Sequence, residues 1–100
     1  MNHTVRFEPE ADAEYQESIA HFEGAQTGLG ERFRSEVEKT LRKVCDDPKR
    51  FRRVRGDVRK ASVPVFDYSI YFTIEDDEIA VAAVFHPSRN PETLQDRGLI

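Results

Sequence analysis

One hundred residues, 38% of them hydrophobic, suffice for one modest core, so a single domain spanning residues 1–100 is expected. The lone cysteine, Cys45, excludes an internal disulfide and no apolar run is long enough to cross a membrane; with no basic-then-apolar leader after Met1, the expectation is a cytoplasmic protein with no membrane partner. A net charge of -4 argues against strong non-specific binding to nucleic acid, although the charge is segregated: residues 24–60 hold twelve bases against six acids, while residues 1–23 hold six acids and only Arg6.

In chain order, Val5 and Phe7 alternate with Thr4, Arg6 and Glu8, which predicts a short first strand stopped by Pro9. Pro9 suits the first turn of a helix, and Glu10, Asp12 and Glu14 favour its N-terminal end. Ala11, Tyr15, Ile19 and Phe22 then form one apolar stripe ending near Gly24. Gly28-Leu29-Gly30 leads into a second stripe, Leu29, Phe33, Val37, Leu41 and Val44, closed by Pro48, with Arg32/Glu36 and Glu38/Arg42 spaced to pair on its polar face. Two amphipathic helices with so short a connection predict an antiparallel helical hairpin. Cys45, at the end of the second stripe, reads as a small buried hydrophobe rather than a reactive thiol.

The run Lys49 to Lys60 carries seven bases with Phe51 and Val54 interspersed, as either a solvated connection or a surface for an acidic partner. Gly56-Asp57 predicts a turn and Val58 to Val65 a strand that Pro64 confines to an edge or bulge. From Tyr68 to Ile74 apolar and polar residues alternate, and from Ile79 to Phe85 both faces are apolar, so these two strands predict a hairpin at the heart of the sheet with Glu75, Asp76, Asp77 and Glu78 as its exposed loop. The predicted order is β-α-α-β-β-β, an α+β domain whose antiparallel sheet carries the helical hairpin on one face. Strict alternation places Tyr71 and Val84 on the opposite face, away from Ile70, Phe72, Ala83 and Phe85, as an uncovered apolar patch suited to an interface.

Catalytic chemistry is sparse. His3, His21 and His86 are scattered, no serine-histidine-acid order can be proposed, one cysteine gives no metal framework, and Gly28-Leu29-Gly30 lacks the length and lysine of a phosphate loop; neither metal nor cofactor is expected. The remaining polar group is His86, Arg89 and Asn90 after the last strand, with Arg59 on an adjoining one, which could hold an anion, donate protons, or simply tie the C-terminal tail to the sheet.

Taken together, Pro9-Glu10-Ala11-Asp12, Gly28-Leu29-Gly30-Glu31-Arg32-Phe33, Pro48, Arg59, Phe66-x-Tyr68-x-Ile70 and Ala83-Val84-Phe85-His86-x-x-Arg89-x-Pro91 resemble the RelE/ParE toxin family over about Val5 to Arg97. The resemblance implies a toxin of a bacterial type II toxin-antitoxin pair, neutralised by a cognate antitoxin in a hetero-oligomer. RelE-like members cut mRNA on the ribosome with basic residues and a C-terminal tyrosine, whereas ParE-like members are non-nucleolytic and act on DNA gyrase. Here Ser69 stands where RelE-like members carry an arginine, and Leu94 replaces the tyrosine. ParE-like members more often show Phe-Pro-Tyr and a late tryptophan, where this chain has Phe66-Asp67-Tyr68 and Leu94. The expectation is a non-enzymatic ParE-like gyrase inhibitor; the alternatives are a RelE-like ribonuclease using His86 and Arg89, and a member that only binds an antitoxin. Arg59, His86, Arg89, Asn90, Pro91 and Leu94 are the candidate target contacts, and Arg52, Arg53, Arg55, Tyr71 and Val84 the candidate antitoxin contacts.

Overall fold

A computed structural model describes residues 3–100. Its elements run β1 (Thr4–Phe7), α1 (Pro9–Ala25), α2 (Leu29–Asp46), a 3-10 turn at Pro48–Arg50, β2 (Arg53–Arg55), β3 (Val58–Ser62), β4 (Ser69–Glu75), β5 (Glu78–Phe85) and α3 (Pro91–Asp96). The α+β class, the helical hairpin and the Gly56-Asp57 turn match the sequence reading. The set of elements differs from it in three ways. A short β2 is added, α3 follows the last strand, and β3 stops at Ser62, before Pro64.

The sheet order is β1-β5-β4-β3-β2, antiparallel except that β1 pairs parallel with β5. Parallel pairing arises because β1 passes directly into α1 and the chain reaches β5 only after both helices and three strands. The acidic loop is tighter than expected. Glu75 and Glu78 face each other as the last ladder pair and only Asp76-Asp77 make the turn, with Asp76 in the left-handed region at φ 59°. Arg6 reaches across from β1 to hold both glutamates, at 3.2 Å from Glu75 and 3.0 Å from Glu78. Two like charges face to face are thereby compensated.

The first core lies between the helical hairpin and one sheet face. Ala11, Tyr15, Phe33, Val37 and Val44 from the helices meet Tyr68, Ile70, Phe72, Ile79, Val81 and Val84. Phe33 sits amid Tyr15, Phe22, Phe66 and Tyr68 with ring centroids 4.8–6.1 Å away, the tilted and edge-on spacings favoured by aromatic quadrupoles. On the helix surface Arg34–Glu31 and Lys39–Glu36 pair at i,i+3, in place of the i,i+4 pairs Arg32/Glu36 and Glu38/Arg42 read from spacing.

Val84 is a correction to the sequence reading: it is fully buried under the helices. The cause is a β-bulge. Tyr71 pairs with Ala83 but Phe72 pairs with Val81, so Ala82 is an extra residue in β5 and every later side chain changes face. Ala82, Ala83 and Phe85 therefore join Tyr71 on the second face. Leu94, Leu99 and Ile100 cover part of that face.

Candidate functional site

The C-terminal segment is positioned by the open edge of β5. Beyond Phe7, which pairs with Val81, β5 has no neighbouring strand on its β1 side, and the exposed backbone groups there need partners. Glu14 on α1 accepts the Val84 N–H at 3.0 Å with one carboxylate oxygen and an Arg97 Nη1–H at 2.8 Å with the other. Arg97 Nη2 donates to the Ala82 carbonyl oxygen. The half-buried pair thus seals the sheet edge and pins α3 to α1. Asn90 caps α3, its Oδ1 accepting the Glu92 N–H at 3.0 Å, and Pro91 occupies the first helical position. Arg55 Nη1 donates to the Ile100 carbonyl oxygen at 2.8 Å, which fixes the far end of the tail to β2.

Between β5 and α3 the chain turns at His86-Pro87-Ser88-Arg89. The Arg89 N–H donates to the His86 carbonyl oxygen at 3.0 Å, and the Ser88 N–H to His86 Nδ1, also at 3.0 Å. An Nδ1 that accepts a backbone N–H puts the proton of the neutral ring on Nε2. The His86 ring stands edge-on to Tyr68 with centroids 5.1 Å apart, and the Arg89 guanidinium lies 6.0 Å from the centre of the Phe85 ring. Arg89 is the ridge between two clefts. One, of about 590 Å³, runs over the second sheet face past Lys60, Tyr71, Phe85, Pro91 and Leu94; the other, of about 490 Å³, opens towards α1.

The structure brings together only part of the target-contact set. His86 and Arg89 are half-exposed neighbours at the cleft rims, whereas Asn90 and Pro91 are committed to capping α3 and Leu94 is 3% exposed in the second core. Arg59 lies elsewhere. Its Nη1 donates to the Lys49 and Phe51 carbonyl oxygens at 3.2 and 2.7 Å, clamping the turn after α2 onto β3. Of the antitoxin-contact set, Arg52, Arg53 and Arg55 are exposed, while Tyr71 and Val84 are buried. Of these arginines, Arg52 joins Lys43, Arg50 and Lys60 along a cleft of about 480 Å³ with no acid in its wall, whereas Arg53 lines another cleft together with Asp57.

Cys45 is half-buried, with burial pushing its thiol pKa up, so it is not poised as a nucleophile. Among the described residues no group of three or more histidine, cysteine or acidic side chains could hold a metal ion, and no helix is long and apolar enough to cross a membrane.

Residues 5–91 match the family model for the ParE toxin of the type II toxin-antitoxin system, parDE. The chain belongs to the ParE toxin family. No curated relative matches it. Among solved structures, one titled as the chromosomal ParDE TA system from P. aeruginosa shares the fold, with a TM-score of 0.70 over 84% of this chain and 95% of that chain, at 11% sequence identity.

Two groups of residues in this ParE chain escape a sequence reading. The Glu14–Arg97 pair spans 83 positions, and the need for it arises only where β5 runs on past the end of β1. Glu17, Ser18 and His21 meet His86 in the second cleft, and a signal for them exists: Ser18 interrupts the buried stripe Ala11, Tyr15, Ser18, Phe22 with a hydroxyl.

Proposed function

We propose that this ParE-family toxin arrests DNA gyrase through its surface, without catalysis, and is neutralised by a cognate antitoxin. The observation that carries the reading is the family match over residues 5–91. The site chemistry is compatible with it. Cleavage of RNA by its own 2′-OH needs a base, an acid for the leaving oxygen and cations for the developing phosphorane. The C-terminal position that would supply a donor holds Leu94, which is buried and apolar. Arg89 stands at the rim of the larger cleft with, among the described residues, only the Phe85 ring against it, and so offers a contact to a large partner.

Antitoxin binding is assigned to the exposed basic run. The second sheet face is partly covered by Leu94, Leu99 and Ile100, which leaves less apolar sheet surface for an antitoxin than a bare face would, and charge supplies the initial attraction. The test of the gyrase reading is a supercoiling assay with purified gyrase. Supercoiling should fall with added toxin, and Arg89→Ala should raise the inhibitory concentration about tenfold, the graded loss of a surface contact rather than the collapse of a catalytic site. Normal supercoiling at toxin concentrations that stop growth would defeat the gyrase reading. Ribosome-dependent mRNA cuts lost in His86→Ala would instead favour a ribonuclease.

A further inference from the structure

The second cleft lies between the outer turns of α1 and the turn after β5, and is lined by Glu17, Ser18, His21, Tyr68, His86 and Arg89 among others. Ser18 is 1% exposed and its Oγ has no hydrogen-bond partner in the protein, in particular no bond back to a carbonyl of its own helix. A buried hydroxyl without a partner costs about 1–3 kcal/mol, so its retention needs an explanation. Its neighbours are similarly uncommitted. His86 has Nδ1 occupied by Ser88, which leaves Nε2–H as a donor even in the neutral ring; His21 contacts Phe22 only through ring packing; Arg89 has an aromatic ring but no acid beside it.

We propose that this cleft is a binding site for a phosphate-type oxyanion. Donors stand on both walls, His21 on α1 and His86 and Arg89 on the turn, and the unpartnered Ser18 hydroxyl is buried directly behind the α1 wall, where a change of rotamer on binding would present it to the anion. A tetrahedral anion presents oxygens to both walls at once, which a planar carboxylate does less well, and the guanidinium supplies the charge-assisted bond that fixes it. Glu17 is the only acid in the lining and opposes the anion. The site is independent of the gyrase reading, although it shares the His86–Arg89 turn with it. An anion seated there would bridge α1 to that turn and stiffen the segment that carries Arg89.

The chain holds three histidines, His3, His21 and His86, so their ring resonances form a direct probe. Inorganic phosphate is titrated in place of chloride at constant pH and ionic strength. His3, whose Nδ1 donates to the Cys45 carbonyl oxygen at 3.0 Å, is the internal reference. The expected result is saturable movement of His21 and His86 with one shared Kd on the order of 1 mM, and an unmoved His3. Arg89→Gln should weaken binding about tenfold, and Glu17→Gln should tighten it severalfold. Ser18→Ala should raise the Tm of the anion-free protein, because it removes an unsatisfied hydroxyl, and should abolish most of the phosphate-dependent rise in Tm. Equal or linear movement of all three histidines would overturn the proposal, as would a lowered Tm in Ser18→Ala with an unchanged response to phosphate. Acetate acting as strongly as phosphate would overturn the assignment of ligand class.

Discussion

Gly30 shows how one missing Cβ fixes the helical hairpin. A Cβ there would lie 2.7 Å from the Ile19 carbonyl oxygen, a backbone atom of α1 that cannot swing aside, and 3.0 Å from the Glu23 Cβ. The same closeness lets the Glu23 carboxylate accept the N–H groups of Gly28 and Gly30, each at 3.1 Å, which caps the first turn of α2 with a negative charge. Gly30→Ala should therefore cost about 1–3 kcal/mol, read as a lower denaturation midpoint, whereas Gly24→Ala, which meets nothing within 4 Å inside α1, should gain up to about 1 kcal/mol. Tyrosine burial sets a second expectation at this scale. Burial pushes the pKa values of Tyr15 and Tyr71 above their ordinary value, with Glu38 adding to the shift of Tyr15 and Arg52 partly opposing that of Tyr71. A raised pKa in the folded state means that the protonated form is favoured by the fold. Stability is thus intact below about pH 10 and lost as pH rises through the folded values, with Cys45, raised from a lower starting point, contributing earlier. Thermal unfolding followed from pH 8 to pH 11 should show a plateau and then a decline; a midpoint that keeps rising past pH 10 would contradict it.

Among the elements, β5 decides most. Its uniform apolar character, Ile79 to Phe85, gives no alternation from which to read a face, so the bulge at Ala82 is invisible in the pattern, and the three residues after it, Ala83, Val84 and Phe85, are assigned to the wrong sides by simple counting. Because β5 runs past the end of β1, its open edge calls for the Glu14–Arg97 pair, and that pair in turn docks α3. Glu14→Ala would leave the Val84 N–H unsatisfied and a half-buried guanidinium without its closest acid, because Glu10, 3.6 Å from Arg97 Nε, is largely exposed. A loss of about 3 kcal/mol is expected, and Arg97→Ala should cost a comparable amount. The double substitution should cost much less than the sum, since the two residues act as one unit. Chemical denaturation of the four proteins checks this; additive losses would separate the pair.

For the molecule as a whole, the separation of charge matters more than its total. Acids concentrate in α1 and the β4–β5 turn, and bases in the run from Lys43 to Lys60, of which Lys43, Arg50, Arg52 and Lys60 share one cleft wall. A long acidic partner should be steered to that run. Raising salt from about 0.05 to 0.5 M should slow association with the antitoxin about tenfold while changing dissociation less than about twofold. Charge reversal at Arg52 and Arg53 should mimic high salt. Rates indifferent to both would mean that the basic run plays no part in recognition.

Two helical stripes, their glycine-marked connection, the strand alternation from Tyr68 to Ile74 and the order of elements were legible in the amino-acid sequence alone, because each is dictated by local periodicity or by the backbone demands of glycine and proline. From them followed the α+β class and the resemblance to the RelE/ParE family. The parallel pairing of β1, the bulge, the partial covering of the second face by Leu94, Leu99 and Ile100, and the meeting of Ser18 and His21 with His86 and Arg89 were decided only by the tertiary structure. These depend on which distant groups compete to satisfy a backbone N–H, fill a sheet face or share a cleft. No local pattern records the outcome of that competition.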